Sequence, residues 1–300
     1  MKILVLGSTG FLGSYLCYCI DKLGFDVIGV SRSPGPYVQT FIQNEDASKY
    51  SEIILQQNVD VVINTVAMTS HKVCEDDPSQ AFWTNASYAG SWAKSAELIG
   101  ARFVQISTDA VFDGKNTNLY QENDLANPLS AYGRSKLHGE KLVIENSPAA
   151  LILRTNFFGW SRNGSVGILD FFIDSFFYQR EIVGFQDYIV SSLYMGDMVD
   201  ALFELLNLGA TGTFHLVSSS PLSKYLFGIE VARQIGLPSA CMKPGYLSEF
   251  SMMAMRGNHL GLSCAKTELI LGRKMPRSSD GITRALAERD VIINFYNQFI

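Results

Sequence analysis

Hydrophobic residues recur with two different periods in the first half of the chain. Short apolar runs rich in β-branched residues predict strands, whereas apolar residues spaced three and four apart predict helices. The predicted strands lie at residues 3–6, 25–31, 59–67, 101–107 and 149–154, with a short third strand at 40–46. The first predicted helix begins at Phe11, and further helices are predicted at residues 52–57, 78–99 and 131–146. Strands that alternate with helices form βαβ units, so this half predicts a doubly wound parallel sheet of the Rossmann type.

Beyond about residue 155 this alternation loosens. Helical patterns at 167–179, 197–208, 225–235 and 279–288 surround a single strand pattern at 212–218. We therefore expect an α/β protein with a dinucleotide-binding domain over residues 1–160. A smaller, mixed substrate-binding lobe is expected over residues 161–300, interleaved with late elements of the main sheet.

Three glycines, Gly7, Gly10 and Gly13, separate the first strand from the first helix. Glycine permits positive φ and close approach of backbone to a ligand, and a helix N-terminus directs free N–H groups at phosphates. The spacing is G-x-x-G-x-x-G and not the G-x-G-x-x-G of the dehydrogenase fingerprint. The alternative is that the glycines only tighten a turn, but the αβ alternation that follows favours a dinucleotide pyrophosphate site.

Composition restricts the partners and the compartment. The formal net charge of −5 and the pI near 5.4 give no electrostatic basis for binding nucleic acid or an anionic membrane. The five cysteines are an odd number, which favours reduced thiols in a cytoplasmic protein. The apolar N-terminus superficially resembles a signal peptide, but the glycines interrupt it. No apolar run approaches the roughly twenty residues of a membrane span.

Tyr132 and Lys136 stand four residues apart, and hence on one face of a predicted helix. An adjacent ammonium favours the phenolate form of a phenol whose ordinary pKa is about 10, so the pair can exchange a proton with a carbonyl oxygen. The alternative is a surface lysine beside a half-buried tyrosine. The context favours chemistry, because Ser107-Thr108-Asp109 ends the preceding predicted strand, and open α/β sheets bind ligands at the carboxyl ends of their strands.

Together these features resemble the extended short-chain dehydrogenase/reductases. Finer motifs are similar to the dTDP-4-dehydrorhamnose reductase branch of that superfamily. They are Cys74-Glu75-Asp76-Asp77-Pro78, Thr84-Asn85, STDAVFDG at 107–114 and AYGRSKLHGE at 131–140. The resemblance is dense through residue 160 and thin afterwards.

The resemblance implies roles for particular residues. Thr108 would orient the substrate carbonyl and Tyr132 would act as the general acid. Lys136 would bind the nicotinamide ribose and depress the pKa of Tyr132. The other cofactor-binding residues implied are Gly7, Thr9, Gly10, Phe11, Leu12, Gly13, Asp46 at the adenine and Ala67 at the ribose.

The end of the second predicted strand bears on the choice of cofactor. NAD enzymes usually carry an acidic residue there, which hydrogen-bonds the ribose 2′-hydroxyl. This chain has Ser31 and Arg32 instead, and arginine offers a phosphate planar, charge-assisted donors. We therefore predict a preference for NADP. The alternative is that the protein uses NAD and that Arg32 is simply a solvated loop residue.

The sequence departs from the family pattern on the substrate side. Ala110 stands where the branch carries an aromatic residue, His71-Lys72 replaces Val-Asp, and Arg256-Gly257 replaces Arg-Pro. His71 is interpreted as a partly exposed loop residue, with a proton relay as the alternative. The substrate-binding residues implied are Thr108, Asp109, Ala110, Asn156, Trp160 and Arg256. Trp160 would stack on a sugar or base, or pack in the core.

These residues favour a reductase of a keto-sugar nucleotide, acting at C4. Dehydration is disfavoured, because the Asp-Glu pair that dehydratases of this superfamily carry after the threonine is missing. A sugar-nucleotide epimerase is the runner-up, and a non-catalytic nucleotide-binding regulatory subunit is the alternative from another class. Helices at 78–99 and 131–146 would pair in a homodimer, as they often do in this superfamily. The sequence places no metal site.

Overall fold

The computed structural model describes residues 1–41, 48–162, 167–250 and 256–298. Packing divides the chain into two compact units, each built from several segments. The first unit consists of Met1–Val111, Ser130–Leu153 and Gly209–Phe214, and the second of Phe112–Leu129, Arg154–Leu208 and His215–Ile300.

The strands and helices follow one another in near alternation through the first unit and less regularly after it. The strands are β1 (Lys2–Leu6), β2 (Asp26–Ser31), β3 (Val38–Phe41), β4 (Val61–Asn64), β5 (Arg102–Thr108), β6 (Leu151–Thr155), β7 (Phe157–Phe158), β8 (Ile182–Phe185), β9 (Ile189–Val190), β10 (Leu193–Tyr194), β11 (Gly212–His215), β12 (Leu222–Ser223), β13 (Met242–Gly245) and β14 (His259–Leu260). The helices are α1 (Phe11–Lys22), α2 (Ser48–Gln57), α3 (His71–Asp76), α4 (Pro78–Phe82), α5 (Tyr88–Leu98), α6 (Ala131–Asn146), α7 (Ile168–Phe177), α8 (Met195–Asn207), α9 (Lys224–Ile235), α10 (Ala265–Leu271) and α11 (Ser278–Asn297).

A seven-stranded parallel sheet is the framework of the first unit. Its strand order is β3-β2-β1-β4-β5-β6-β11, which confirms the predicted α/β, Rossmann-type fold. The direction of winding reverses between β1 and β4, where Leu6 pairs with Val30 on one side and with Asn64 on the other. Ligands of such sheets bind outside the carboxyl ends of the strands at this reversal.

The core of the first unit explains why its apolar residues alternate. Leu4 and Leu6 of β1 join one buried cluster with Tyr50 and Trp92, whereas the intervening Val5 is buried on the opposite face of the strand. The rings of Tyr50 and Trp92 stack 4.3 Å apart, and Trp92 is fully buried. Trp92 therefore packs on the sheet side of α5.

Several elements differ in length from the predictions. The predicted strand at 59–67 is shorter, because the Asn64 side chain turns the chain by accepting a hydrogen bond from the N–H of Val66 at 3.0 Å and donating to Gln105 at 2.8 Å. The predicted helix at 78–99 is a helical run of α4, a π-helical turn (Trp83–Ser87) and α5. The third strand begins earlier than expected, at Val38, and residues 42–46 of the predicted strand, Asp46 among them, lie outside the described residues.

The second unit combines short strands with longer helices. Its strands form the pairs β7-β10 and β8-β13 and the three-stranded sheet β12-β9-β14. Arg284 of α11 binds Asp197 and Asp200 of α8 at 2.7 and 2.6 Å and Glu288 one turn further along at 2.7 Å. None of the helices in the described ranges is long and apolar enough to cross a membrane.

Candidate active site

The turn between β1 and α1 requires glycine. Gly7 has a φ of +80°, and its N–H donates to the carbonyl of Val30 at 2.9 Å. A Cβ on Gly13 would lie 2.1 Å from the carbonyl oxygen of Gly7. Among the described residues no side chain caps α1 at Gly10, and its first turn has no acidic residue. This helix N-terminus therefore keeps free N–H groups and a positive dipole end for an anion.

A cavity of about 520 Å³ opens over this turn in the first unit. It is lined by Gly7, Thr9, Gly10, Val30, Ser31, Arg32, Thr65, Val66, Ala67, Met68, Gln80, Trp83, Thr84 and Tyr88. Six of the predicted cofactor residues thus line a single cavity. Phe11, Leu12 and Gly13 form the first turn of α1 beside it, where Leu12 and Gly13 are buried. The volume and the glycine cradle fit one half of a dinucleotide.

The rim of the cavity at the end of β2 carries hydroxyl groups and a guanidinium. The Thr9 and Ser31 hydroxyl oxygens are 2.6 Å apart, and Ser31 also accepts a hydrogen bond from the N–H of Ser33 at 3.3 Å. Arg32 is exposed and lines the cavity. Among the described residues no carboxylate lines the cavity, and hydroxyl and guanidinium donors of this kind are suited to a phosphate group.

Two buried hydrogen bonds join α6 to β5. The ammonium of Lys136 donates to the carbonyl of Ile106 at 2.6 Å, and the hydroxyl of Ser107 donates to the carboxylate of Glu140 at 2.5 Å. Burial lowers the pKa of Lys136 to about 8, while the charge of Glu140 acts in the opposite direction. The lysine is therefore held close to its titration point at physiological pH.

Tyr132 lies in the first turn of α6, one turn before Lys136. Ser130 begins this helix by accepting a hydrogen bond from the N–H of Gly133 at 3.1 Å. Tyr132 is half-buried, and its ring centroid is 5.0 Å from that of His71. His71 is the first residue of α3, so it lies at a helix N-terminus and not in a loop.

Thr108 ends β5, two residues after the carbonyl that Lys136 binds. Its hydroxyl donates to the carboxylate of Asp109 at 3.0 Å and accepts from the N–H of Ala110 at 3.1 Å. The two bonds fix the threonine rotamer. All three residues are nearly fully buried.

The remaining predicted substrate residues belong to the second unit. The amide oxygen of Asn156 accepts a hydrogen bond from Ser192 at 2.7 Å. Trp160 is only 2 % exposed, and its indole N–H donates to the carbonyl of Ala285 at 2.6 Å, so its ring packs in the core of this unit. Arg256 is half-buried, and its Nε has no hydrogen-bond partner among the described residues.

The replacement of Arg-Pro by Arg-Gly has a local packing reason. A Cβ on Gly257 would lie 2.6 Å from the carbonyl oxygen of Asp113 and 2.8 Å from the Cα of Gly114. Two backbone segments meet there without room for a side chain.

Several cavity-lining residues were not among the predicted cofactor-binding residues, although Thr84 belongs to the Thr84-Asn85 motif. Trp83, Thr84 and Tyr88 reach the cavity from the helical run, and Thr65 reaches it from the end of β4. The π-helical turn changes the helical phase between Trp83 and α5, so a regular periodicity does not separate cavity residues from core residues.

The fold, the glycine turn and the Tyr132–Lys136 pair define an extended short-chain dehydrogenase/reductase. Residues 1–291 match the family model described as RmlD substrate binding domain. The chain therefore belongs to this RmlD-like family of sugar-nucleotide reductases.

Individual relatives span nearly the whole chain. It is 30% identical to the "Probable low-salt glycan biosynthesis reductase Agl14" of Haloferax volcanii, over 94% of this chain and 96% of that protein. It is 27% identical to methionine adenosyltransferase 2 subunit beta of Bos taurus, over 92% and 84%. The crystal structure of dTDP-4-dehydrorhamnose reductase from Bacillus anthracis in complex with NADP superimposes with a TM-score of 0.87, over 96% of this chain and 99% of that one, at 23% identity.

Proposed function

We propose that the protein is an NADPH-dependent reductase of a keto-sugar nucleotide, acting at C4 of the sugar. The observation that carries this proposal is the buried bond between Lys136 and Ile106, because it fixes the Tyr132–Lys136 face of α6 against the strand that ends in Thr108. A proton donor and a carbonyl-orienting hydroxyl are thus supplied by adjoining elements of one unit.

The chain's own residues account for the proton and for the orientation of the carbonyl. When bound, the reduced nicotinamide supplies the hydride. When the substrate binds, the single O–H of Thr108 turns from the carboxylate of Asp109 and donates its hydrogen bond to the carbonyl oxygen instead. The phenol of Tyr132 transfers its proton to that oxygen as the alcohol forms. The positive charge of Lys136 favours the phenolate that remains on Tyr132.

The preference for NADPH rests on the cavity rim. Arg32, Ser31 and Thr9 present donors to the 2′-phosphate, and the part of the chain that the structure describes adds no carboxylate to the cavity lining that would repel it. The neighbouring reductase from Bacillus anthracis holds NADP, which supports the same assignment. NADH is the competing cofactor, and equal or better turnover with NADH than with NADPH at the same concentration would contradict the preference.

The test is NADPH consumption, followed at the nicotinamide absorbance band, with a panel of keto-sugar nucleotides. We expect turnover with at least one 4-keto sugar nucleotide. Tyr132→Phe should reduce kcat by roughly 10²- to 10⁴-fold and leave the Kd for NADPH nearly unchanged, because only proton transfer is lost. Unchanged turnover in this variant would remove Tyr132 from the role of acid.

A regulatory subunit is the second candidate, and the similarity to methionine adenosyltransferase 2 subunit beta favours it. This function predicts dinucleotide binding without turnover on any substrate of the panel. An epimerase would convert its substrate without net consumption of NADPH, which product analysis distinguishes. A homodimer through α5 and α6 remains a prediction, and sedimentation velocity tests it.

A further inference from the structure

Part of the cavity wall is aromatic. Trp83 is partly exposed and lines the cavity, and its ring packs against Tyr88 with the centroids 5.6 Å apart. Tyr88 in turn contacts the buried Tyr50 and Trp92 rings at 5.7 and 6.2 Å. The Trp83 indole therefore belongs to a row of packed rings that continues into the core of the first unit.

The π-helical turn gives Trp83 its direction. Successive residues of an α-helix are rotated by about 100° about the helix axis, and a π-helical turn contains one additional residue. The side chain of Trp83 therefore leaves the helix in a different direction from the core side chains of α5. Asn85 of this turn accepts a hydrogen bond from the N–H of Met68 at 2.8 Å, and its amide group donates to the carbonyl of Met68 at 3.1 Å and to Ser135 at 2.9 Å. The turn is thus fixed by both the loop after β4 and α6.

We infer that Trp83 is the platform on which the purine of the bound dinucleotide stacks, an inference that rests on the proposed function. The catalytic residues Thr108, Tyr132 and Lys136 do not line this cavity, whereas Arg32 does. The cavity therefore takes the half of the dinucleotide that carries the 2′-phosphate. Gln80 and Thr84, which are hydrogen-bonded to each other at 3.1 Å, add polar groups to the lining of the same cavity.

Intrinsic fluorescence tests the inference directly. The chain has three tryptophans, and Trp92 and Trp160 are 0 % and 2 % exposed, so a ligand in the cavity acts on the emission of Trp83. Adenosine 2′,5′-bisphosphate should quench the emission, and nicotinamide mononucleotide should not. In Trp83→Phe the two buried tryptophans should give a signal that adenosine 2′,5′-bisphosphate leaves unchanged.

Affinity gives a second readout. By calorimetry, Trp83→Ala should bind adenosine 2′,5′-bisphosphate about 10- to 100-fold more weakly, which is the range measured for loss of stacking on an aromatic side chain. Ser87→Ala, an exposed position on the same turn, should bind within about twofold of the parent. In the reductase assay, Trp83→Ala should raise KM for NADPH and leave kcat unchanged.

The two proposals fail in different ways. Binding of adenosine 2′,5′-bisphosphate without quenching, or quenching by nicotinamide mononucleotide, would overturn the role of Trp83 while the reductase assay still stands. Equal affinity of Trp83→Ala and Ser87→Ala would overturn it as well. If neither NADPH nor its purine half binds the parent protein, the proposed function fails and the inference fails with it.

Discussion

Lys136 should weaken the folded protein below pH 8 and cease to do so at higher pH. Its ammonium is buried, and burial lowers its pKa from 10.5 to about 8. At about 1.4 kcal/mol for each tenfold change in the protonation equilibrium, this difference corresponds to about 3 kcal/mol. The unfolded chain binds the proton more tightly than the folded chain does, so the free energy of unfolding should rise with pH from about 8 to 10.5.

The measurement is urea unfolding of the parent and of Lys136→Met at several pH values between 7 and 10.5. The parent-minus-variant difference in the free energy of unfolding should increase by about 3 kcal/mol over this range. The subtraction is needed because burial raises the pKa of the Cys74 and Cys264 thiols to about 11. Those thiols ionise first in the unfolded chain and reduce the stability of both proteins equally at alkaline pH.

Lys141→Met is the matched control, since Lys141 is exposed on the same helix. The difference between the parent and this control should stay flat with pH. A flat or falling difference for Lys136→Met would refute the buried-ammonium account. Lys136→Met should also lose reductase activity, because the charge that favours the Tyr132 phenolate is removed.

Three further predictions address the cavity and its supports. Gly13→Ala should weaken NADPH binding at least tenfold by calorimetry, because its Cβ meets the carbonyl of Gly7, whereas Gly24→Ala, with positive φ but open space around it, should cost about 1 kcal/mol of stability and no affinity. Equal affinities would contradict this. Arg32→Ala should lower the NADPH-to-NADH ratio of kcat/KM about 10- to 100-fold, and an unchanged ratio would assign Arg32 to solvent. Asn85→Ala should lower the free energy of unfolding by about 2 to 3 kcal/mol in a denaturant titration, because the polar groups of Met68 lose their partners, and a loss below about 0.5 kcal/mol would count against that network.

Within each motif of the site the residues lie close together along the sequence, and this proximity made each motif predictable. Gly7 and Gly10 connect one strand to one helix and Gly13 lies in the first turn of that helix, so the turn geometry follows from local steric limits. Tyr132 and Lys136 share a helical face for the same reason. The rule that parallel sheets bind ligands at the carboxyl ends of their strands made them candidates, and their individual roles came from the family resemblance.

The exposure of Trp83 to the cavity could not be predicted from local sequence patterns. Its apolar neighbours in the sequence suggest a packing face, and the residue belongs to the same helical run as the buried Trp92. The π-helical turn that separates the two directions is fixed by hydrogen bonds from Asn85 to Met68 and Ser135, which are distant in the sequence. The spacing of apolar residues along the sequence carries no information about those long-range hydrogen bonds.

By itself, the sequence determined the order of strands and helices in the first half of the chain, the glycine turn and the Tyr132–Lys136 pair, because each depends on neighbouring residues and on the steric limits of the backbone. Only the tertiary structure decided that Lys136 is buried against Ile106, that Trp160 packs in a core, and that Trp83 faces the cavity. The burial of a side chain depends on which distant segments meet. Burial shifts the pKa of Lys136 and keeps Trp160 from contact with a ligand, whereas the partial exposure of Trp83 permits that contact.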